Sequence, residues 1–381
     1  MALVAAACAV PSTRENVEAT AQLVRSHSRA SLEWRRDSAA DQAARVRASE
    51  LLEGGVTLDE AVGVAFLINP SLQVWLEQLT ISRAELVAAL TPPNPVAIVG
   101  SRKPGGDLAA FYPERSVSIG VLQNVIALLT MHDRAATARH DLERARYETA
   151  QQAVSHAAQV VQAWLEYCAA LQIHQHDGQD QAIQSELTVA TTRARLGELM
   201  GVTGWRDDWE VVAHLPAVPD TDPDPVAIEA AAMQQRLDLR AAAKAVDVRL
   251  RALAMHRRFR WLNQLDIGLF RDKAIGGTAF TGPNVVAEIP LFDQRLALLL
   301  QSDAELHIAL RRLEAAQLAA RTEIRVQAAE LRAMRQQLQQ FEGEREQLMV
   351  DPTYVGVLRE YWRTRSALAL AAGDWAAVSG L

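Results

Sequence analysis

Apolar residues recur along this chain with two different periods, and each change of period marks an element. Residues 9–55 are polar, rich in Ser and Arg, with charges of both signs and little periodicity. The pattern assigns them no fold and reads them as a tether. At Val56-Thr57-Leu58-Asp59-Glu60 the character changes. Thr57 followed three residues later by Glu60 is a capping box, in which side chain and backbone satisfy each other's free donors. It opens a helix carrying Ala61, Val62, Ala65 and Phe66. Asn69-Pro70 interrupts it, and a second helix from Ser71 places Leu72, Trp75, Leu76, Leu79 and Leu86 at helical spacing, stopping before Pro92-Pro93-Asn94-Pro95.

Beyond the prolines the period falls to two. Val96–Ser101 and Arg115–Gln123 read as strands on either side of Lys103-Pro104-Gly105-Gly106-Asp107, with Val117, Ile119 and Val121 alternating with Ser118, Gly120 and Leu122. A helical period returns at Met131 and runs to about Gln175, with a turn at His174-Gln175-His176-Asp177-Gly178 and a short return helix over Gln179–Met200.

The second half repeats this order. Asn69-Pro70-Ser71-Leu72 matches Arg236-Leu237-Asp238-Leu239 at an offset of 167, and Ser118-Ile119-Gly120-Val121 matches Val286-Ala287-Glu288-Ile289 at 168. A helix from Val226 to about Arg258 leads to strand-like runs at Trp261–Phe270 and Pro283–Phe292, joined through Gly276-Gly277. A long helix from Asp293 to about Met349 and a return leg at Thr353–Ala372 follow. The expected fold class is therefore mainly α with a small β part, built from a duplicated helix-helix-strand-strand-long helix unit. Residues 56–214 form the first repeat, the Pro-rich stretch 215–225 a linker, and residues 226–381 the second.

Composition agrees: aromatics are only 5% of the chain, and Gly and Pro number 19 and 14, a balance suited to long helices. A net charge of −7 argues against nucleic-acid binding, which needs a concentrated basic surface. No run approaches the ~18 consecutive apolar residues of a membrane-spanning helix, but alternating barrel strands escape that test.

Chemistry is sparse. Two cysteines, Cys8 and Cys168, provide neither a zinc framework nor a disulfide scaffold. Cys168 shares a helical apolar pattern with Trp164 and Leu171 and is expected to be a buried, inert thiol. Leu3-Val4-Ala5-Ala6-Ala7 before Cys8 looks like the tail of a lipoprotein signal, making residues 1–8 its remnant and Cys8 an acylation site. The basic start of such a signal is missing, so translation would begin upstream; the plainer reading is a frayed terminus with an incidental cysteine. His174, His176 and Asp177 fall in a polar turn, where water is the simpler partner than a metal. His132 and His140, beside Asp133 and Asp141, read as an exposed helix face. Neither glycine pair is followed by the Lys-Ser or Lys-Thr of a phosphate loop. No nucleophile and base stand together, so no enzyme, cofactor or metal is expected.

Four strands from one chain cannot close a barrel, and an open apolar sheet leaves two edges exposed. A long helix with an apolar stripe also needs partners along its whole length. Several copies sharing one barrel would satisfy both. Here Leu58-Asp59-Glu60-Ala61-Val62 with Asn69-Pro70-Ser71-Leu72 resembles the opening motif of the TolC-like outer membrane factor family. Gln235-Arg236-Leu237-Asp238-Leu239-Arg240-Ala241-Ala242 resembles its second-repeat counterpart, Ile289-Pro290-Leu291-Phe292-Asp293 the strand-to-helix junction, and Tyr361-Trp362-Arg363-Thr364-Arg365-Ser366-Ala367-Leu368 the end of the final helix.

The resemblance covers roughly residues 56–373. It implies a homotrimer with a twelve-stranded barrel, four strands per protomer, in the outer membrane of a Gram-negative bacterium. Outer-membrane lipid would surround the barrel, and long coiled-coil hairpins would form a periplasmic tunnel. The partners it implies are a periplasmic adaptor protein and an inner-membrane pump, and the cargo small molecules or metal ions. Acidic rings often narrow the tunnel tip in that family, and Asp177, Asp180 and Asp351 lie nearest the expected tips, although any solvated turn favours Asp. Against the family pattern, both return legs are short. This implies a shortened tunnel, an altered or absent adaptor surface, and an overhanging outgoing helix in the second repeat. The competing readings are a lipid-anchored periplasmic coiled-coil scaffold without a pore and a non-functional truncated duct.

Overall fold

The computed structural model of the chain describes residues 12–28, 31–103, 116–176, 182–212, 214–274, 277–341 and 351–373. In chain order the elements are α1 (Thr13–Ser28), α2 (Ser38–Leu51), α3 (Leu58–Ile68), α4 (Pro70–Leu90), β1 (Val96–Arg102), β2 (Ser116–Asn124), α5 (Val125–Leu129), α6 (Met131–His176) and α7 (Ala182–Met200). The second half continues with α8 (Pro225–Gln235), α9 (Leu237–Arg258), β3 (Leu265–Ala274), β4 (Ala279–Ala287), α10 (Leu296–Gln339) and α11 (Pro352–Ala372). The duplication is plain in the lengths. Helices of 11, 21, 46 and 19 residues in the first repeat are matched by 11, 22, 44 and 21 in the second. Among the described residues no helix is long and apolar enough to cross a membrane.

Contacts divide the chain into two compact units. The first gathers residues 1–81, 143–243 and 312–381 around one apolar core; the second holds residues 82–142 and 244–311, including all four strands. In the first unit, Trp164 of α6 is buried and donates its indole N–H to Val56 O (3.1 Å), and Trp362 of α11 does the same to Pro216 O (2.8 Å). Buried indoles need such a partner, and here each ties a connecting segment to the core. Thr57 caps α3 in the expected reciprocal box with Glu60. Val56 and Val211 form an isolated parallel bridge that joins the start of the first repeat to the segment after α7.

Several expectations need correction. The stretch 9–55, read as a tether without fold, carries α1 and α2. Val17, Ala21, Val24, Ala44 and Ala48 from these helices are buried in the first unit's core. The helix that was expected from Asp293 to Met349 is α10, which begins at Leu296 and ends at Gln339; residues 342–350 lie outside the described residues. The second pair of strands is displaced by about four residues from the expected runs: Trp261 and Leu262 precede β3, and Ile289–Phe292 follow β4. The 167-residue offset survives, since Asn69 and Arg236 are the C-caps of α3 and α8. The 168-residue match does not align equivalent strand positions. The Pro-rich linker packs on the first unit: Leu215 is buried, and Asp222 bonds Arg335, Tyr361 and Arg365.

Candidate channel wall and helix junctions

The second unit's sheet is an antiparallel meander in the order β1-β2-β3-β4, with β1 and β4 at its edges. Residues directly opposite one another share a face, so the register sorts the side chains. One face carries Ala97 and Val99, Ile119 and Val121, Ile267 and Leu269, Pro283 and Val285. Val99, Leu269 and Val285 are 75%, 66% and 59% exposed, a broad apolar surface turned to the outside. The other face takes one glycine from each strand, Gly100, Gly120, Gly268 and Gly282, with Ser118, Asp272 and Asn284 among them. This face is sheltered along β2, where Ser118 and Leu122 are buried and Phe270 lies across Gly120, so that a Cβ there would meet its ring at 3.0 Å, whereas Val96, Phe280 and Val286 on the edge strands are exposed. The strands are 7 to 10 residues long, close to the ~9–11 of a tilted membrane-crossing strand.

In the first unit each return helix ends against the junction of the two leading helices of its repeat. Gly201, at φ +81°, closes α7 so near Asn69 that a Cβ would lie 2.9 Å from Asn69 Cα. Asn69 donates its side-chain N–H to Leu199 O (2.7 Å) and accepts from Ser71 N (2.8 Å). In the second repeat Gly373, at φ +69°, closes α11 against Arg236, whose guanidinium donates to Ala371 O (2.9 Å) and pairs with Asp238 and Glu323. The outgoing helix of the second repeat, α10, is bonded along the described part of its length by Arg236 at Glu323 (2.8 Å) and by Tyr361 of α11 at Arg335 (3.2 Å). Each long helix has a leading helix and a return helix meeting end to end beside it, as His156 of α6 shows by contacting Trp75 of α4 and Leu199 of α7.

Burial tunes the few titratable groups in the first unit. It pushes the Cys168 thiol far up and so leaves it inert, as expected from its helical neighbours. It lowers His156, against the opposing bond from the Leu199 carbonyl, so the ring is kept neutral. For Asp222 burial acts upward, but the Arg335 and Tyr361 bonds and the Arg365 charge outweigh it and hold the carboxyl below its usual range.

Cys8, Asp177 and Asp180 lie outside the described residues, as do Gly105 and Gly106. Asp351 is the N-cap of α11 and accepts from Thr353 N at 2.8 Å, which gives it a structural job wherever the tip falls. His174 bonds Ser185 (2.9 Å), His140 faces Asp247 (3.7 Å), and Asp133 pairs with Arg258 (3.1 Å). Among the described residues no cluster could hold a metal ion. What the sequence reading missed was the sheet's glycine face, which the alternation at 117–122 hinted at on one strand only.

This fold is shared with solved outer-membrane channels. Among solved structures, the chain is similar to the outer-membrane channel OprN, with TM-score 0.61 and 15% identity over 93% of this chain and 96% of that one. A membrane protein from Pseudomonas aeruginosa matches with TM-score 0.60 and 15% identity over 83% and 92%. The open state of the Neisseria gonorrhoeae MtrE outer membrane channel matches with TM-score 0.57 and 12% identity over 84% and 89%. No protein-family model and no curated protein matches the sequence.

Proposed function

We propose that the chain is one protomer of a trimeric outer-membrane efflux duct, taking cargo from an inner-membrane pump through a periplasmic adaptor. The observation that carries this reading is the two-faced, edge-open sheet. Three copies placed edge to edge, β4 of one against β1 of the next, close a twelve-stranded barrel and leave no free ladder groups. The exposed apolar face would meet outer-membrane lipid and the glycine face would line the lumen. A coiled-coil scaffold without a pore would have no use for such a surface. The role is conduction rather than catalysis.

Cys8 would carry the lipid anchor, Asp177 and Asp180 would lie near the tunnel tip with Asp351, and the short return helices would give a short tunnel with an altered adaptor surface. Purifying the full-length protein from an outer-membrane fraction and measuring its mass and its conductance in planar bilayers tests the duct. A trimer with stable single-channel current is expected. A detergent-independent monomer without conductance would overturn the reading.

A further inference from the structure

A cavity of about 640 Å³ opens in the second unit where the sheet gives way to its helices. The register places Val96, Asn124, Asp266 and Val286 at one common end of the sheet, and the cavity is lined there by Asn124, Arg134, His256, Asn263, Asp293 and Arg295. Two guanidiniums and one carboxylate converge on it. His256, bonded to Ser302 (2.8 Å) and lowered by burial and by Arg295, contributes no charge near neutrality. The lining side chains thus carry one net positive charge.

Its hydrogen-bonding groups are incompletely used. Arg134 donates through Nη2 to Ala127 O (2.8 Å), but its Nε is buried without a partner. Arg295 reaches only Asn263 O, at a weak 3.5 Å. Asn263 donates to Glu288 Oε1 (2.9 Å), which fixes its amide, and leaves Oδ1 buried and unpaired. Buried donors and acceptors without partners are costly. Arg295 also sits at φ +55°, a left-handed conformation that suits glycine, held there by Asp293 accepting from its backbone N–H (2.8 Å). Strain of this kind is retained where a side chain is needed in place.

The same end of the sheet bears an exposed apolar fringe. Leu129 lies beyond β2, Trp261 before β3 under the Arg260 guanidinium (4.3 Å), and Ile289, Leu291 and Phe292 beyond β4, with Phe292 99% exposed. Apolar and aromatic side chains beside cations suit the boundary between acyl chains and headgroups.

We propose that this cavity holds the phosphodiester of a glycerophospholipid. Arg134 and Arg295 donate to the phosphate oxygens, a headgroup hydroxyl or amine donates to Asn263 Oδ1, and the acyl chains lie along the fringe of Leu291 and Phe292. The single phosphodiester charge matches the site's net charge. The inference rests on the reading that the sheet crosses a membrane.

The test is native mass spectrometry of the full-length trimer in a neutral detergent. It would be titrated with phosphatidylglycerol, with diacylglycerol of the same chains, and with inorganic phosphate. Phosphatidylglycerol adducts should persist, and diacylglycerol should bind at least about tenfold more weakly, as the loss of charge-assisted bonds requires. Arg295→Gly, which suits the left-handed backbone, should lose phosphatidylglycerol at least about tenfold while keeping the trimer mass and melting temperature; Arg134→Gln should weaken it in the same direction. Equal binding of diacylglycerol, or unchanged retention in both variants, would overturn the lipid site. Saturation by inorganic phosphate in place of lipid would make it a free-anion site and also overturn it. If the wild-type protein forms no membrane trimer, the duct reading itself has failed, and the lipid site falls with it.

Discussion

Gly201 and Asn69 touch so closely that a β-carbon on the glycine would sit 2.9 Å from the Asn69 Cα, while the Asn69 amide bonds the carbonyl of Leu199 at 2.7 Å. Arg236 and Gly373 repeat the arrangement in the second half. A left-handed C-cap lets the return helix stop abruptly and accept the next helix against its end. Gly201→Ala and Gly373→Ala should each destabilise the protein by about 1–3 kcal/mol, combining the left-handed backbone cost with the displacement of a packed partner. Thermal unfolding of the detergent-solubilised protein would report it. No shift in either variant would mean that the junctions are not tight.

The register resolves which strand positions face outward. Val121→Arg and Leu269→Arg, at paired positions, place charge on the exposed apolar face and should each cost about 2–4 kcal/mol if they sit near the bilayer midplane, lowering the folded fraction in outer-membrane preparations. Thr281→Arg, on the same face beside Arg271, should be much milder, because it lies towards the polar end of that face. Uniform tolerance of all three would place the face outside lipid.

Much of this fold could be read from the chain, and the failures have physical causes. The Thr57–Glu60 box, the Asn69-Pro70 break and the first two strands are announced by residues whose local chemistry admits few alternatives. Helix α1 is not: part of its buried stripe is Asn16 and Thr20, which count as polar in any hydropathy pattern. They are buried because Thr20 bonds Asn16 O and Asn16 meets Arg146. In the second repeat, β3 runs on through Arg271, Asp272 and Lys273 because β2 supplies its ladder, a tertiary cause invisible to periodicity. The glycine face was legible only in part, since a glycine on one strand acquires meaning from the glycines beside it on the others. The phospholipid cavity depends on long-range convergence and left no local signal.

Asp222 ties the linker to α10 and α11 through Arg335, Tyr361 and Arg365. Asp222→Asn should cost about 2–3 kcal/mol, because two partly buried guanidiniums lose their counter-charge. The carboxyl's folded pKa is depressed, so its stabilisation is fully present above the unfolded value near 3.8 and is lost as pH falls through the folded value. The variant's melting temperature should therefore differ from the wild type at pH 6 and converge on it in strong acid. A difference independent of pH would assign the effect to packing instead.

Acylation of Cys8 is checked on the mature N-terminus. Mass spectrometry of the protein expressed from its native gene should find the chain beginning at Cys8 with lipid attached. Several acyl chains per protein would anchor it firmly where one would not. An unmodified peptide reading through Ala7-Cys8 would remove the anchor from the proposal.

Tunnel length follows from the return helices. From the junction at Asn69 and Gly201, α7 has 19 residues, and from the junction at Arg236 and Gly373, α11 has 21. At 1.5 Å per residue each spans roughly 30 Å, and paired coiled coil cannot extend much beyond that plus its connecting turn. The return helices match in length between the two repeats, at 19 and 21 residues, as a ring of hairpins with level tips requires. Electron microscopy of the purified trimer should therefore show a helical tunnel ending about 30–40 Å past the girdle formed by the two junctions. A tunnel continuing well past that distance would show that residues 177–181 and 342–350 add helix to the hairpins and would refute the shortening. Tips at two different levels would break the equivalence of the repeats on which a closed ring depends.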